Sequence, residues 1–295
     1  MTHSFSGIYT ALVTPFTNKG EVDYPSFERL LDTQLRGNVD GLVISGTTGE
    51  SPTITMNEKQ LLLKTAINKA NGRCPIIAGT GSNSTASTIQ NSLMAKEMDV
   101  DAILVVAPYY NKPSQEGLYL HYSKVAETVA PLPIILYDVP GRTASSLSID
   151  TIVRLKKDHK NIIAIKDATG DICRITELRR RLGLRISILT GEDPLFYPSL
   201  AAGADGIISV ASNIIPEKMK ELYTLHMEKR SEEALELYNS IHPLLKGIFV
   251  ESNPTPVKWM LHKLNIIDNA DVRLPLCIPS KENQQFLNEL TEELA

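Results

Sequence analysis

Eight short apolar runs, beginning at residues 7, 41, 75, 102, 133, 162, 185 and 206, constrain this chain more than any other feature. They are Gly7–Phe16, Gly41–Ser45, Pro75–Gly79, Ala102–Pro108, Pro133–Val139, Ile162–Ala168, Arg185–Gly191 and Gly206–Ser212. Most are nearly continuous in Ile, Val, Leu and Ala, the pattern of strands covered on both faces. The segments between them carry helix starts. Asp23 can cap a helix with Pro25 in its first turn, and Thr55 with Glu58 forms a capping box ahead of Leu61-Leu62-Leu63. Ser114 and Asp171 can cap two more. Eight strand–helix units over about 230 residues predict an α/β chain folded as a (β/α)8 TIM barrel. A doubly wound open sheet would carry a GxGxxG turn after its first strand, and this chain has none there.

Beyond Ile215-Pro216 the strand pattern stops. Helices are expected at roughly 216–229, 231–247, 254–264 and 280–293, the first completing the eighth unit. The expected division is therefore a catalytic barrel over 1–229 and a C-terminal all-helical appendage over 230–295. The helical segments share no motif, so a solenoid is not expected.

Charge and cysteine usage narrow the function classes. The 30 Lys and Arg nearly balance 34 Asp and Glu and are spread along the chain, so no basic stripe points to nucleic acid or a membrane surface. No apolar run approaches the ~18 residues that cross a bilayer. Met1–Gly7 lacks the cationic and apolar regions of a signal peptide, and Cys74, Cys173 and Cys277 lie far apart without a CxxC. The expectation is a cytoplasmic protein with reduced thiols. The six histidines show no HExxH or HxH spacing, so neither a metal nor another cofactor is expected.

Lys166 closes the run Ile162-Ile163-Ala164-Ile165. Burial without a partner costs a charged lysine several kcal/mol of hydration, which lowers its pKa and frees the neutral amine. Such an amine can attack a ketone and form a Schiff base. The blander alternative is a strand-end lysine whose head snorkels into water.

In a barrel of this type, catalytic groups sit at the C-terminal strand ends and in the loops that follow. After strand two comes Gly46-Thr47-Thr48-Gly49-Glu50-Ser51, a tight loop able to hold a carboxylate or else an ordinary glycine-rich turn. After strand four comes Pro108-Tyr109-Tyr110-Asn111-Lys112-Pro113, whose tyrosines could equally be packing residues. Strand five ends Tyr137-Asp138-Val139-Pro140-Gly141-Arg142-Thr143. Tyr137 shares strand parity with Ile135 and Val139, so a phenol pointing inward could move protons near an amine on the next strand. The Arg142 fork suits a carboxylate, though a surface ion pair would use it as well. Strands seven and eight end in Thr190-Gly191-Glu192 and Ile207-Ile208-Ser209. Convergence of these oddities on one rim favours catalysis over a set of unrelated loops.

These segments, together with Ile165-Lys166-Asp167-Ala168 and Asn253-Pro254-Thr255-Pro256-Val257-Lys258, mark a resemblance to the dihydrodipicolinate synthase family. That family lies within the pyruvate-dependent lyases that include N-acetylneuraminate lyase, and the likeness covers essentially the whole chain. The resemblance implies condensation of pyruvate with L-aspartate 4-semialdehyde, without an external cofactor. It implies Lys166 as the imine-forming lysine and Tyr137 as a proton carrier working through Thr48 and Tyr110. Thr47 and Thr48 would hold the pyruvate carboxylate, Arg142 the carboxylate of the semialdehyde, and Gly191 and Ile208 would line the pocket. It further implies a homotetramer, a dimer of dimers, with Tyr110 reaching across the dimer interface. Three positions of the family's lysine-inhibition site hold Met56, Lys59 and Ser87 here, although Ser51, Asn83 and Tyr109 suit it. A lost carboxylate and an added cation oppose a cationic inhibitor, so feedback is expected to be weak or absent. The alternatives are a related aldolase acting on a 2-keto-3-deoxy sugar acid, a barrel used only for binding, and a phosphate-binding barrel leaning on Gly191 and Gly206.

Overall fold

All eight apolar runs form strands, each shorter than its run or equal to it within a residue or two. The computed structural model describes residues 5–293. The strands are β1 Gly7–Ala11, β2 Gly41–Ile44, β3 Ile76–Gly79, β4 Ala102–Val106, β5 Ile134–Asp138, β6 Ile162–Asp167, β7 Ser187–Thr190 and β8 Gly206–Ser209. They close into a parallel barrel in chain order, the (β/α)8 architecture expected from the sequence. The first run overshoots most. Pairing stops at Ala11, and the remainder leaves the ladder through Pro15, which has no N–H to give, to an isolated antiparallel bridge between Phe16 and Val22.

The helices are α1 Tyr24–Arg36, α2 Met56–Ala70, α3 Thr85–Glu97, α4 Gln115–Val129, α5 Pro140–Thr143, α6 Ile149–Asp158, α7 Ile172–Leu182, α8 Phe196–Ala201, α9 Pro216–Met227, α10 Ser231–Gly247, α11 Thr255–Lys263 and α12 Lys281–Glu292. The expected caps are in place. Asp23 accepts from the Ser26 N–H, both bonds of the Thr55–Glu58 capping box are made, Ser114 caps α4 and Asp171 caps α7. No helix among the described residues is long and apolar enough to cross a membrane.

The elements fall into two compact groups. One holds the residues up to Gly7 with Pro75–Ile208. Its strands pair in a continuous ladder in which Val106 lies opposite Tyr137, Tyr137 opposite Lys166, and Lys166 opposite Leu189. Strand residues Ile103, Val105, Ile134, Ile135, Leu136, Ala164 and Ile165 are completely buried, as strands covered on both faces must be. The other group holds Ile8–Cys74 and the residues from Ser209 onward. Here β1 and β2 pair through Tyr9–Gly41, Thr10–Leu42 and Ala11–Val43. Asn213 binds the Val13 N–H and the Ala11 carbonyl, while Gln34 links Thr10 to the Asn213 carbonyl. Every polar atom in that buried relay has a partner of its own kind, the condition for keeping amides inside a core.

Candidate active site

Side chains alternate along a strand, and partners in parallel register share a face. Tyr137, Lys166 and Leu189 therefore point one way, and Asp138, Asp167 and Thr190 the other. Arg174 of α7 identifies the outer face, because its guanidinium binds Asp167 at 2.7 Å and Asp138 at 2.9 Å. Tyr137 and Lys166 accordingly face inward, the direction that strand parity predicts for Tyr137. Both are 5% exposed, and the Lys166 Nζ lies 4.4 Å from the centre of the Tyr137 ring. Among the described residues no carboxylate pairs with Lys166. The snorkelling alternative is thereby removed: this amine is inside the protein and has no counter-ion bound to it.

The end of β7 is shaped around that lysine. The Gly191 N–H donates to the Asp167 carbonyl at 2.7 Å, which draws the two strand ends together. A Cβ at position 191 would lie 2.7 Å from both Lys166 Cε and Ala168 Cβ, so only glycine leaves room for the lysine stem. Glu192, half-buried, is a group to which the sequence reading gives no role. Burial and the neighbouring Asp193 raise its carboxyl above the usual range, while the charges of Lys166 and Arg142 pull the other way. Glu192 is thus within electrostatic reach of both cations assigned from the sequence. Only its position directly after a strand-end glycine could have pointed to it.

Arg142 is exposed on the short α5, which begins at Pro140. Tyr110 is 88% exposed, sits at φ 74° and donates its N–H to the Thr143 carbonyl at 3.3 Å. A tyrosine fixed on left-handed backbone with its ring in solvent contributes nothing to packing within this chain. Tyr109 beside it is half-buried. Ile208 on β8 is completely buried.

Thr47 and Thr48 belong to the second group of elements. The loop closes on itself through Gly49 N–H to Gly46 O, Glu50 N–H to Thr47 O and Ser51 N–H to Gly46 O. Thr48 is buried and its hydroxyl accepts from the Asn253 amide at 3.0 Å. Thr14 donates to the Gly49 carbonyl at 2.8 Å. Beneath the loop, Glu50 occupies left-handed backbone at φ 56° and is buried. Its Oε1 accepts from Lys258 at 2.8 Å and its Oε2 from the Arg273 N–H at 2.9 Å. The Phe16 ring lies against both cations, 4.1 Å from Lys258 Nζ and 4.4 Å from the Arg273 guanidinium. Burial lowers Lys258 to about 8 despite the opposing pull of Glu50. A second buried lysine thus exists, but Glu50 and Phe16 occupy its head. The sequence reading includes Glu50 and Lys258 in its motifs without linking them.

Among the described residues no cluster of three His, Cys, Asp or Glu side chains could hold a metal ion. What the geometry of the first group offers is covalent and acid–base chemistry: a sequestered amine with a phenol in register beside it.

Comparison with known proteins agrees with this chemistry. Residues 4–294 match the Dihydrodipicolinate synthetase family. The 4-hydroxy-tetrahydrodipicolinate synthase of Sulfurihydrogenibium sp. (strain YO3AOP1) is 42% identical over 286 residues, 97% of each chain. Among solved structures, the chloride-inhibited dihydrodipicolinate synthase from Acinetobacter baumannii complexed with pyruvate superposes with a TM-score of 0.94 at 43% identity, covering 98% of both chains. A lysine-bound synthase from Cyanidioschyzon merolae superposes with a TM-score of 0.95 at 34% identity, covering 99% of this chain and 98% of that one.

Proposed function

Because this chain belongs to the dihydrodipicolinate synthetase family, we propose that it condenses pyruvate with L-aspartate 4-semialdehyde to give 4-hydroxy-tetrahydrodipicolinate. It is a lyase of lysine and diaminopimelate biosynthesis. The observation that carries the reading is the buried, carboxylate-free Lys166 in register with Tyr137. The Lys166 amine adds to the pyruvate ketone, water leaves, and an imine remains. The imine accepts the electron pair released when a methyl proton is lost, so an enamine forms. Its carbon attacks the aldehyde, and the new oxyanion takes a proton. The substrate's own amine then displaces Lys166 from the imine carbon, closing the six-membered ring and restoring the enzyme.

Tyr137 moves the protons of imine formation and aldol addition, with Thr48 and Tyr110 completing the relay. Thr47 and Thr48 hold the pyruvate carboxylate, Arg142 holds that of the semialdehyde, and Gly191 and Ile208 bound the pocket. The 88% exposure of Tyr110 supports its action in a neighbouring subunit, within a homotetramer built as a dimer of dimers. The cytoplasm is the compartment that fits the exposed thiols of Cys173 and Cys277, neither of which forms a disulfide. The lysine supplies the electron sink, so the reaction as written calls for no metal or organic cofactor.

Product assays test the substrate pair. Pyruvate with aspartate semialdehyde is expected to give ring-closed product, and 2-keto-3-deoxy sugar acids to give at most about 1% of that rate, because buried groups built for one partner are left unpaired by the other. Comparable turnover of a sugar acid would move the chain to the rival aldolase class. Lysine feedback is expected to be weak, since Met56, Lys59 and Ser87 offer a cationic ligand no carboxylate and one repelling charge. Titration with L-lysine checks this, and half-inhibition at sub-millimolar concentration would contradict it.

A further inference from the structure

We propose that Arg174 is a positioning residue for the imine chemistry, holding Lys166 opposite Tyr137 by clamping the two aspartates that follow them on β6 and β5. The proposal rests on Lys166 being the nucleophile, and it concerns the outer face of β5 and β6, opposite to the one that carries Lys166 and Tyr137.

The β5–β6 ladder has a fault in it. Ile134 lies opposite Ile162, but Ile135 lies opposite Ala164, so Ile163 is an extra residue on β6. A bulge of this kind disrupts the ladder locally and offsets the pairing beyond it by one residue, so the strand ends do not share the register of the strand starts. The stakes at the strand ends are high, because a one-residue slip would turn Lys166 to the outer face and Asp167 to the inner one. Asp138 and Asp167 are the pair immediately past Tyr137 and Lys166. Arg174 bridges them with Nε on Asp167 Oδ2 at 2.7 Å and Nη2 on Asp138 Oδ2 at 2.9 Å. Its Nη2 also reaches the Leu147 carbonyl at 2.6 Å. In any shifted register the two carboxylates would no longer lie side by side under one planar fork. The clamp therefore specifies a single pairing.

Stability alone does not account for the arrangement. Asp138 is fully buried, and its Oδ1 has no hydrogen-bond partner among the described residues. The groups that bear on its charge come from α4, β6, α7 and the segment after α5. Arg174 comes from α7, Asp167 from β6, Ser146 and the Leu147 N–H from the segment after α5, and Tyr122 from α4. Burial raises Asp138 to about 6, with Ser146 and Arg174 opposing. A folded value above the ordinary aspartate range means that the protonated form is the one favoured by folding. That contribution is complete below about pH 4 and lost as pH rises past about 6, so ionised Asp138 is a stability cost at neutral pH. Buried charge networks are often no more stable than apolar replacements, and fixing a unique register is the use to which they are best suited.

The test compares wild type with Arg174→Ala and Arg174→Lys by single-turnover trapping of the pyruvate imine with borohydride, alongside thermal melts. Arg174→Ala is expected to slow imine formation per folded molecule roughly 10–100-fold, as an ångström-scale misplacement does. Arg174→Lys keeps the charge but cannot bridge both carboxylates, and should fall between the two. Methylguanidinium added to Arg174→Ala should recover part of the rate. If Arg174→Ala does not fold, Arg174→Lys decides the matter in the same assay. Unchanged imine formation per folded molecule, with only the melting temperature lowered, would reduce Arg174 to a structural role and overturn the proposal. Absence of any pyruvate adduct at Lys166 in wild type would instead mark the failure of the underlying functional reading.

Discussion

Lys166→Ala is expected to lose turnover by about 10³-fold or more, and with it every trace of a borohydride-trapped pyruvate adduct. The experiment discriminates because the described residues include two buried lysines, Lys166 and Lys258. Lys258 is fully buried and its amine is the one pushed down to about 8, so amine acidity alone would nominate it. Contact geometry argues the reverse. Lys258 is bound to Glu50 at 2.8 Å and packed on Phe16, whereas Lys166 has a phenol ring beside it and no carboxylate partner. Peptide mapping of the reduced wild-type adduct should place it on the peptide that contains Lys166. Modification at Lys258 would sink the assignment. A parallel Tyr137→Phe variant keeps the ring next to the amine and removes only the hydroxyl. It should retain the adduct while turnover falls by roughly 10²-fold, the loss typical of a missing proton carrier.

Lys258→Met should destabilise the chain by about 3–5 kcal/mol, the usual consequence of stranding one member of a buried ion pair. Glu50 would keep the Arg273 N–H as a partner but lose the cation that neutralises it. Urea or thermal unfolding measures the effect, and a loss below about 1 kcal/mol would show that Glu50 finds another partner or takes up a proton. The pair can also be removed together. Glu50→Leu with Lys258→Met should cost less than the sum of the single changes, since the double variant leaves no orphaned charge. Activity should fall in Lys258→Met beyond the loss of folded protein, because Glu50 anchors the loop that carries Thr47 and Thr48.

Much of this molecule could be read before its structure was known, for specific reasons. The barrel was legible because strands covered on both faces leave uninterrupted apolar runs, and because Asp23, Thr55, Ser114 and Asp171 announce helix starts. The inward direction of Tyr137 was legible because strand parity has a period of two, whereas that of Lys166 came only with its register opposite Tyr137. Contacts between distant segments were not. Glu50 meets Lys258 and Arg273 across 208 and 223 residues of chain, and no local pattern encodes such a meeting. Arg174 resembles any basic residue in the first turn of a helix, and its partners are two aspartates whose value lies in being adjacent across strands. Phe16 fell inside a run read as strand. It is buried all the same, because it serves as the aromatic platform for two cations.

The bare α-carbon at position 191 sets a limit on redesign. With a methyl group there only 2.7 Å from the lysine stem, the end of β7 cannot be filled in without displacing Lys166. Libraries meant to admit other aldehydes should therefore leave this glycine untouched and seek their space elsewhere.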